Sequence, residues 1–562
     1  MSNLNWNEFE IVWEGFKQEL LRVIASQPSG KRIGSALPIN IKHSGYFALI
    51  PENLDLNAHL EQYPLTDYKF VNDHGHIKTV TTTGTLGAYF DIERLIYIMG
   101  LISSIPSIKK DSIDEEGYVS INAKYLRHFF KDYLSYLDYL IKTGILITDN
   151  QYIKDEKSKG YKFAPAYDSV PLVKYVYQSV REQTVQIEAV PQEVFNESLG
   201  KFTFNHLLEY PYLSHWYEQK QLTINADLAR QYAYQMMTEK FNGGYESWDS
   251  NRDKWCRSRN TFCKKYPRSQ YNAAIHNIES IACYDYKAKI DSNVHRLHSV
   301  ITNIQKDYRH FLLYDEQPLV GIDIANSQPY LLCLLFNPIF WEKDSNTTLN
   351  IGTLPTNIQS LFSQEHFVEI RDYVSSLTAE ALQEYKQIAS EGRVYDHIMS
   401  LINSRRNTTL DKKNVKTMML IVFFSKNRYY HQQGATLKRL FDNTYPEIYS
   451  LIALAKRDNH AALACLLQSI ESEIILHRCC KRIWKESNHQ VPVFTIHDSI
   501  ATTTEHVEWV KGIMQEELTN AIGIPPTLKE EQWNLSQVGH PQYLYYCLLY
   551  TSPSPRDGLL SR

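Results

Sequence analysis

Two apolar runs in this 562-residue chain each carry a carboxylate out of a stretch whose composition demands burial. PLVGIDIANSQPYLL (Pro318–Leu332) reads as a buried strand delivering Asp323 at its C-terminal end. A helix follows, with Ser327 as N-cap and Pro329 in the first turn. VPVFTIHDSIATTT (Val491–Thr504) reads as two β-like runs flanking His497-Asp498-Ser499, with the dyad in the tight turn of a hairpin. Burying an unpaired carboxylate is costly, so each Asp needs a salt bridge or a cation. Two such carboxylates could jointly hold two Mg²⁺ ions about 3.5–4 Å apart, with Mn²⁺ as the alternative.

Between these runs lies a helix in which Lys412, Lys416, Leu420 and Phe424 recur every four residues, preceded by Arg405 and Arg406. Cations thus precede an apolar platform on one face. A triphosphate could lie against the lysines with its base near Phe424, although a K-x-x-x-K helix is often just a solvated face.

The rest of the chain sets the frame. At roughly 150 residues per domain, its length predicts three or four domains. With 43% hydrophobic and 22% charged residues it reads as a globular protein, neither disordered nor fibrous. Lys+Arg 59 against Asp+Glu 63 gives a net charge of −4, so any polyanion site must be a local patch. Eight Cys without regular spacing read as reduced thiols, and Cys256 with Cys263 lacks zinc-type pairing. The polar, acidic N-terminus is unlike a signal peptide, and the longest apolar run is too short for a membrane span. The expectation is a cytoplasmic protein with no membrane partner.

Residues 1–90 carry short β-like runs and no usable motif, and form an N-terminal domain of unassigned role. Residues 91–179 read as two helices and a hairpin bearing Lys154, Lys157, Lys159 and Lys162, with Ser120 capping the first helix and Gly144 ending the second. That order suits a winged-helix module whose wing contacts phosphates, and equally a protein-contact domain. Residues 180–285 are mostly helical in pattern. They include RDKWCRSRNTFCKKYPRSQY (Arg252–Tyr271), in which Arg257, Arg259, Lys264, Lys265 and Arg268 interleave with aromatic residues. Such interleaving suits a nucleic-acid groove; the alternative is a solvated helix with its aromatics inward. The tail from Cys547 to Arg562 differs abruptly from what precedes it, resembles a translated sequencing adapter, and is expected to carry no function.

The order of the Asp323 strand, the Lys416 helix and the His497-Asp498 hairpin resembles motifs A, B and C of the family A nucleic-acid polymerases. That group contains the bacterial-type DNA polymerases and the phage-type single-subunit RNA polymerases. HRLHSVITNIQ (His295–Gln305) is similar to the GRLSS…NLQ element of the DNA polymerases, placing Arg296, Asn303 and Gln305 on its Arg, Asn and Gln. AALACLLQSIESEII (Ala461–Ile475) resembles the AAxNAPxQGTAADII helix and places Gln468 on its Gln. The five elements cover about 290–505.

The resemblance implies an α+β right-hand polymerase. The palm would be formed by 286–340 and about 440–546, the fingers by about 341–440, and a helical thumb by 180–285, behind an N-terminal α/β region. It implies Mg²⁺-dependent nucleotidyl transfer to a 3′-hydroxyl. Asp323, Asp498 and the Ile324 carbonyl would hold two ions, and Lys416 with Lys412 the triphosphate. Phe424 would support the templating pair and Gln328 would lie beside the nucleotide. Arg296, Asn303, Gln305 and Gln468 would contact primer and template, with His497 by the primer end. Tyr395 and Arg309 would be either site-lining or structural.

The branch is divided. His497-Asp498-Ser499 matches the RNA polymerases, whereas the Arg296 element and the Gln468 helix favour DNA synthesis. Gln328, or Tyr330 if two residues are inserted, stands where a Glu normally gates ribose. Phe424 lacks the hydroxyl with which RNA polymerases sense the 2′-OH, and Ser425 replaces the usual Gly. A DNA-directed DNA polymerase is favoured, with an RNA polymerase or primase as the alternative. A non-catalytic nucleic-acid-binding initiator is the reading of another class. The short N-terminal half, without an exonuclease signature, suits a replication protein of a plasmid, phage or transposable element acting with other replication proteins.

Overall fold

A computed structural model describes residues 47–535, apart from 65–68, 72–76, 80–91, 110–111, 115, 130–132, 154–156, 177–209, 244–245, 250–253, 258–266, 287, 343–347, 407–409 and 433–434. Arg259, Lys264, Lys265 and the tail from Cys547 therefore lie outside the described residues. Arg257 ends the strand Lys254–Arg257, which pairs with Glu246–Asp249.

The fold is mixed α+β, and its centre is an antiparallel six-stranded sheet. The central strand is Gln317–Ile324, with Leu319–Ile322 buried in sequence. Such a run means cover on both faces. The helix Val507–Ile522 packs against it, and the Trp533 indole lies across Gly321, 3.2 Å from where a Cβ would stand. One long side of the central strand pairs with Ser499–Thr503, itself paired with Phe494–Ile496. The other pairs with Leu528–Trp533. Leu312–Tyr314 and Leu222–Ile224 extend the sheet from its start.

Ile496 opposes Ser499, so His497 and Asp498 form a two-residue hairpin turn. Such turns need a positive φ, and His497 supplies it at 55°. For a non-glycine residue that costs about 1–2 kcal/mol, which the flanking pairing must overcome.

Helices then surround the sheet. Lys412–Phe424 opens with an Asp411–Asn414 capping box, which satisfies its first amides, and buries Val415, Met418, Met419 and Val422. Ala462–Ser472 runs through a π-helical stretch, Glu473–Cys480, into Lys481–Glu486. After the central strand, the expected cap is corrected. Asn326 is the N-cap at φ 54°, and Ser327 is the first residue of the helix Ser327–Leu331.

In the N-terminal part, the helices Ala123–Phe129 and Tyr133–Lys142 precede a three-stranded sheet in the order Val119–Ser120, Gly160–Phe163, Leu146–Thr148. Asn122, not Ser120, caps the first helix, accepting the Lys124 amide at 2.8 Å. Two lysines of the hairpin are held by the protein itself. Lys157 pairs with Asp149 at 3.0 Å, and Lys162 donates to the Glu116 carbonyl at 2.7 Å.

The helix Pro267–Ala282 joins this part to the central sheet. It packs on Ile92–Ile108, Ala226–Gly243 and Leu222–Ile224, and is buried along nearly its whole length. Arg268 and Tyr271, the end of the basic stretch, are among its buried residues, so the aromatic faces inward as the alternative has it, while the cation is buried and neither solvated nor open to a nucleic acid. Among the described residues, no helix is long and apolar enough to cross a membrane.

Candidate active site

Asp323 is the penultimate residue of the central strand and directly opposes Ser499. Opposed residues of an antiparallel pair have Cα atoms about 5 Å apart, so Asp498, one residue before Ser499, stands beside Asp323. Both carboxyls are pushed above their ordinary range. For Asp323 the causes are burial first, then repulsion from Asp498 and Glu531, against attraction to Lys306 and Lys529. For Asp498 burial dominates, opposed by its own backbone amide, the Ser327 hydroxyl and Arg296. Two like charges that resist ionising together suit a divalent cation.

Among the described residues, no group of three or more His, Cys, Asp or Glu forms a ready-made metal cage. A carboxylate pair still fits Mg²⁺, which completes its shell with water and substrate phosphates. Ile324 follows Asp323 at the strand end with its side chain buried.

Behind the pair lies a closed polar set. Arg296 forks onto Glu471, Nε to Oε1 at 2.9 Å and Nη2 to Oε2 at 2.9 Å. Gln328 Nε2 donates to Glu471 Oε2 at 3.0 Å. Burial chiefly, and Asp498 further, push the Glu471 carboxyl up, while the Arg296 fork and the Gln328 amide oppose this and favour its charged form. Of Gln328 and Tyr330, Gln328 is the one that reaches Glu471, whereas Tyr330 is buried with its hydroxyl on the Ile524 carbonyl. Gln468 is half-buried on the same helix, one turn before Glu471. The His497 ring stands edge-on to His298 at 6.3 Å. Asn303 ends the short helix Val300–Asn303, and Gln305 Nε2 donates to the Gln270 carbonyl at 3.3 Å.

The Lys412–Phe424 helix faces this centre through Tyr395. Lys416 Nζ stands 5.9 Å from the Tyr395 ring centroid. The Tyr395 hydroxyl is pushed up to about 12, by burial first and then by the charge of Asp498. Lys412 pairs with Asp396 at 2.7 Å, both half-exposed, an interaction worth under about 1 kcal/mol. Leu420 is 42% exposed on the same face, and Phe424 is half-buried beyond it.

Several site residues escaped the sequence reading. Glu471 lies inside an apolar helix. Lys306 and Glu531 pair at 2.5 Å, Lys529 opposes Asp323, and Trp533 lies under the guanidinium of Arg309, a residue the sequence did single out, at 5.6 Å. The alternation of Lys529, Glu531 and Trp533 was the one available signal, since a strand puts such residues on one face.

No family model and no curated protein matches the chain. Among solved structures it is similar to the POL domain of Pol1 from M. smegmatis in complex with DNA primer-template and dNTP. The identity is 11% and the TM-score 0.28, over 65% of this chain and 77% of that chain. So distant a likeness decides neither fold nor activity, and the functional reading rests on the geometry of the site.

Proposed function

We infer that this chain is a template-directed nucleic-acid polymerase of the family A type. The observation that carries the reading is the strand register that sets Asp323 beside Asp498, each at the end of an apolar strand. The sheet would be the palm, the helices of about 341–440 the fingers, and the helical region of 180–285 the thumb.

Asp323 and Asp498, with the Ile324 carbonyl, would hold two Mg²⁺ ions. Bound there, the metal would acidify the primer 3′-hydroxyl and offset the charge that develops on the leaving pyrophosphate. Lys416, close to the pair through Tyr395, binds the triphosphate, and Lys412 joins it once its weak surface pair with Asp396 yields. Leu420 and Phe424 offer the apolar surface beyond the lysines for the base. Catalysis is then positioning plus fixed charge. Phe424 has no hydroxyl to recognise a ribose 2′-OH, which favours DNA synthesis; RNA synthesis with or without a primer is the competing outcome.

The test is primer extension by the purified chain with Mg²⁺, comparing dNTPs with rNTPs, DNA with RNA templates, and primed with unprimed ends. Asp498→Ala should reduce synthesis by roughly 10³-fold or more while template binding stays within about threefold. Synthesis that survives this substitution would sink the reading and leave a binding protein.

A further inference from the structure

The carboxylate pair already has a permanent cation beside it. Arg296 sits on a loop fixed by Asp291, whose carboxylate accepts the amides of Asn293, Val294 and Arg296, each at 2.9 Å. The strand that follows Arg296 runs past the hairpin turn: His298, two residues on, stands edge-on to His497, the neighbour of Asp498, at 6.3 Å between ring centroids. An arginine on that side of a half-buried carboxylate could close a bidentate pair with it, covering the oxygens that a divalent cation needs.

Here that fork is spent elsewhere. Glu471 takes the Nε and Nη2 edge, with a further Nη2–Oε1 contact of 2.7 Å. Glu471 is 2% exposed on a packed helix, so it cannot swing into solvent. Gln328 donates to Oε2 and completes the set. We propose that Glu471 is a positioning residue that holds the Arg296 guanidinium off Asp498 and so keeps the Asp323–Asp498 pair open to divalent cations.

This rests on the carboxylate pair being a metal site, as in the proposed function, but not on any nucleotide chemistry. A merely architectural ion pair would stabilise the fold without changing cation affinity. The experiment is Mn²⁺ binding to the full purified chain, read from the electron paramagnetic resonance signal of free Mn²⁺.

Glu471→Gln keeps the shape and removes the charge that restrains Arg296. It should weaken Mn²⁺ binding by about tenfold or more, since an uncompensated cation a few ångströms away repels the ion strongly in a half-buried site. Arg296→Met should leave binding unchanged or tighter, and the double variant Arg296→Met/Glu471→Leu should return it to within about threefold of wild type. Binding lost in Glu471→Gln, not lost in Arg296→Met and restored in the double variant is a pattern that an architectural role would not produce. If Glu471→Gln fails to fold, Arg296→Met decides: tenfold weaker binding overturns the proposal.

Unchanged binding in Glu471→Gln overturns it too, as does wild-type binding that Asp498→Asn leaves intact. Primer extension by the wild-type chain separates the two readings. The expected Mn²⁺ pattern without extension would sink the polymerase and leave the Glu471 role standing. Extension with Mn²⁺ binding indifferent to Glu471 would do the reverse.

Discussion

At the scale of single residues, the loop before Arg296 depends on one carboxylate. Burial alone would raise Asp291, but the His298 imidazole at 3.4 Å and the amides of Val294 and Asn293 outweigh it and bring it to about 2. Its folded value lies below its unfolded one, so the stability it contributes is present above pH 4 and lost as pH falls towards 2. The shift corresponds to about 2 kcal/mol. Denaturant unfolding of wild type and Asp291→Asn should therefore differ by that amount at pH 6 and converge near pH 2; a constant difference would refute the linkage. Asp323 and Asp498 were legible in the sequence because each breaks an apolar strand, a local anomaly with a physical cost. Glu471 was not, because its partner Arg296 is 175 positions away and nothing beside it in the chain announces the pairing.

At the scale of elements, the Lys412–Phe424 helix shows the same division. Its charged face follows from a four-residue spacing, but the way it ends does not. Two buried lysines from later helices close it. Lys438 Nζ donates to Ser425 Oγ and the Lys426 carbonyl, both at 3.0 Å, and Lys456 donates to the Val422 and Ser425 carbonyls. Cations at a helix C-terminus complement its exposed carbonyls, yet full burial opposes the charge. Burial lowers the Lys438 amine to about 8. Its folded value is below the unfolded one, so stability rises with pH across that interval. Relative to Lys438→Met, wild type should gain about 2 kcal/mol between pH 8 and pH 10 in urea unfolding. No relative gain would mean that the amine stays charged in the fold. The cap at Asn326 was missed for a related reason: a left-handed residue needs no side-chain bond to start a helix, so Ser327 looked the better candidate.

At the scale of the whole molecule, the helix Pro267–Ala282 makes the N-terminal part and the central sheet one body. Glu279, 2% exposed, pairs with Lys174 on the strand Leu172–Val176 and with Arg230 on the helix Ala226–Gly243. Glu279→Ala should cost about 2–4 kcal/mol and lower a single thermal transition as a whole. A second, earlier transition would show that the two parts unfold separately. The mixed α+β class followed from the resemblance of five ordered elements to a known family, whereas the sheet order was not legible, because its pairings join segments far apart in the chain. That distance bears on how the protein is made. The central strand ends at Ile324, but its partners on either side are Ser499–Thr503 and Leu528–Trp533. A ribosome adding about 5–20 residues per second needs roughly 10–40 s to reach the last of them. Until then the stretch Leu319–Ile324 has both long edges bare, ready to template pairing with a neighbouring nascent chain. Slow synthesis, low temperature or a chaperone that shields strand edges should therefore decide the yield of active protein more than any ligand added afterwards.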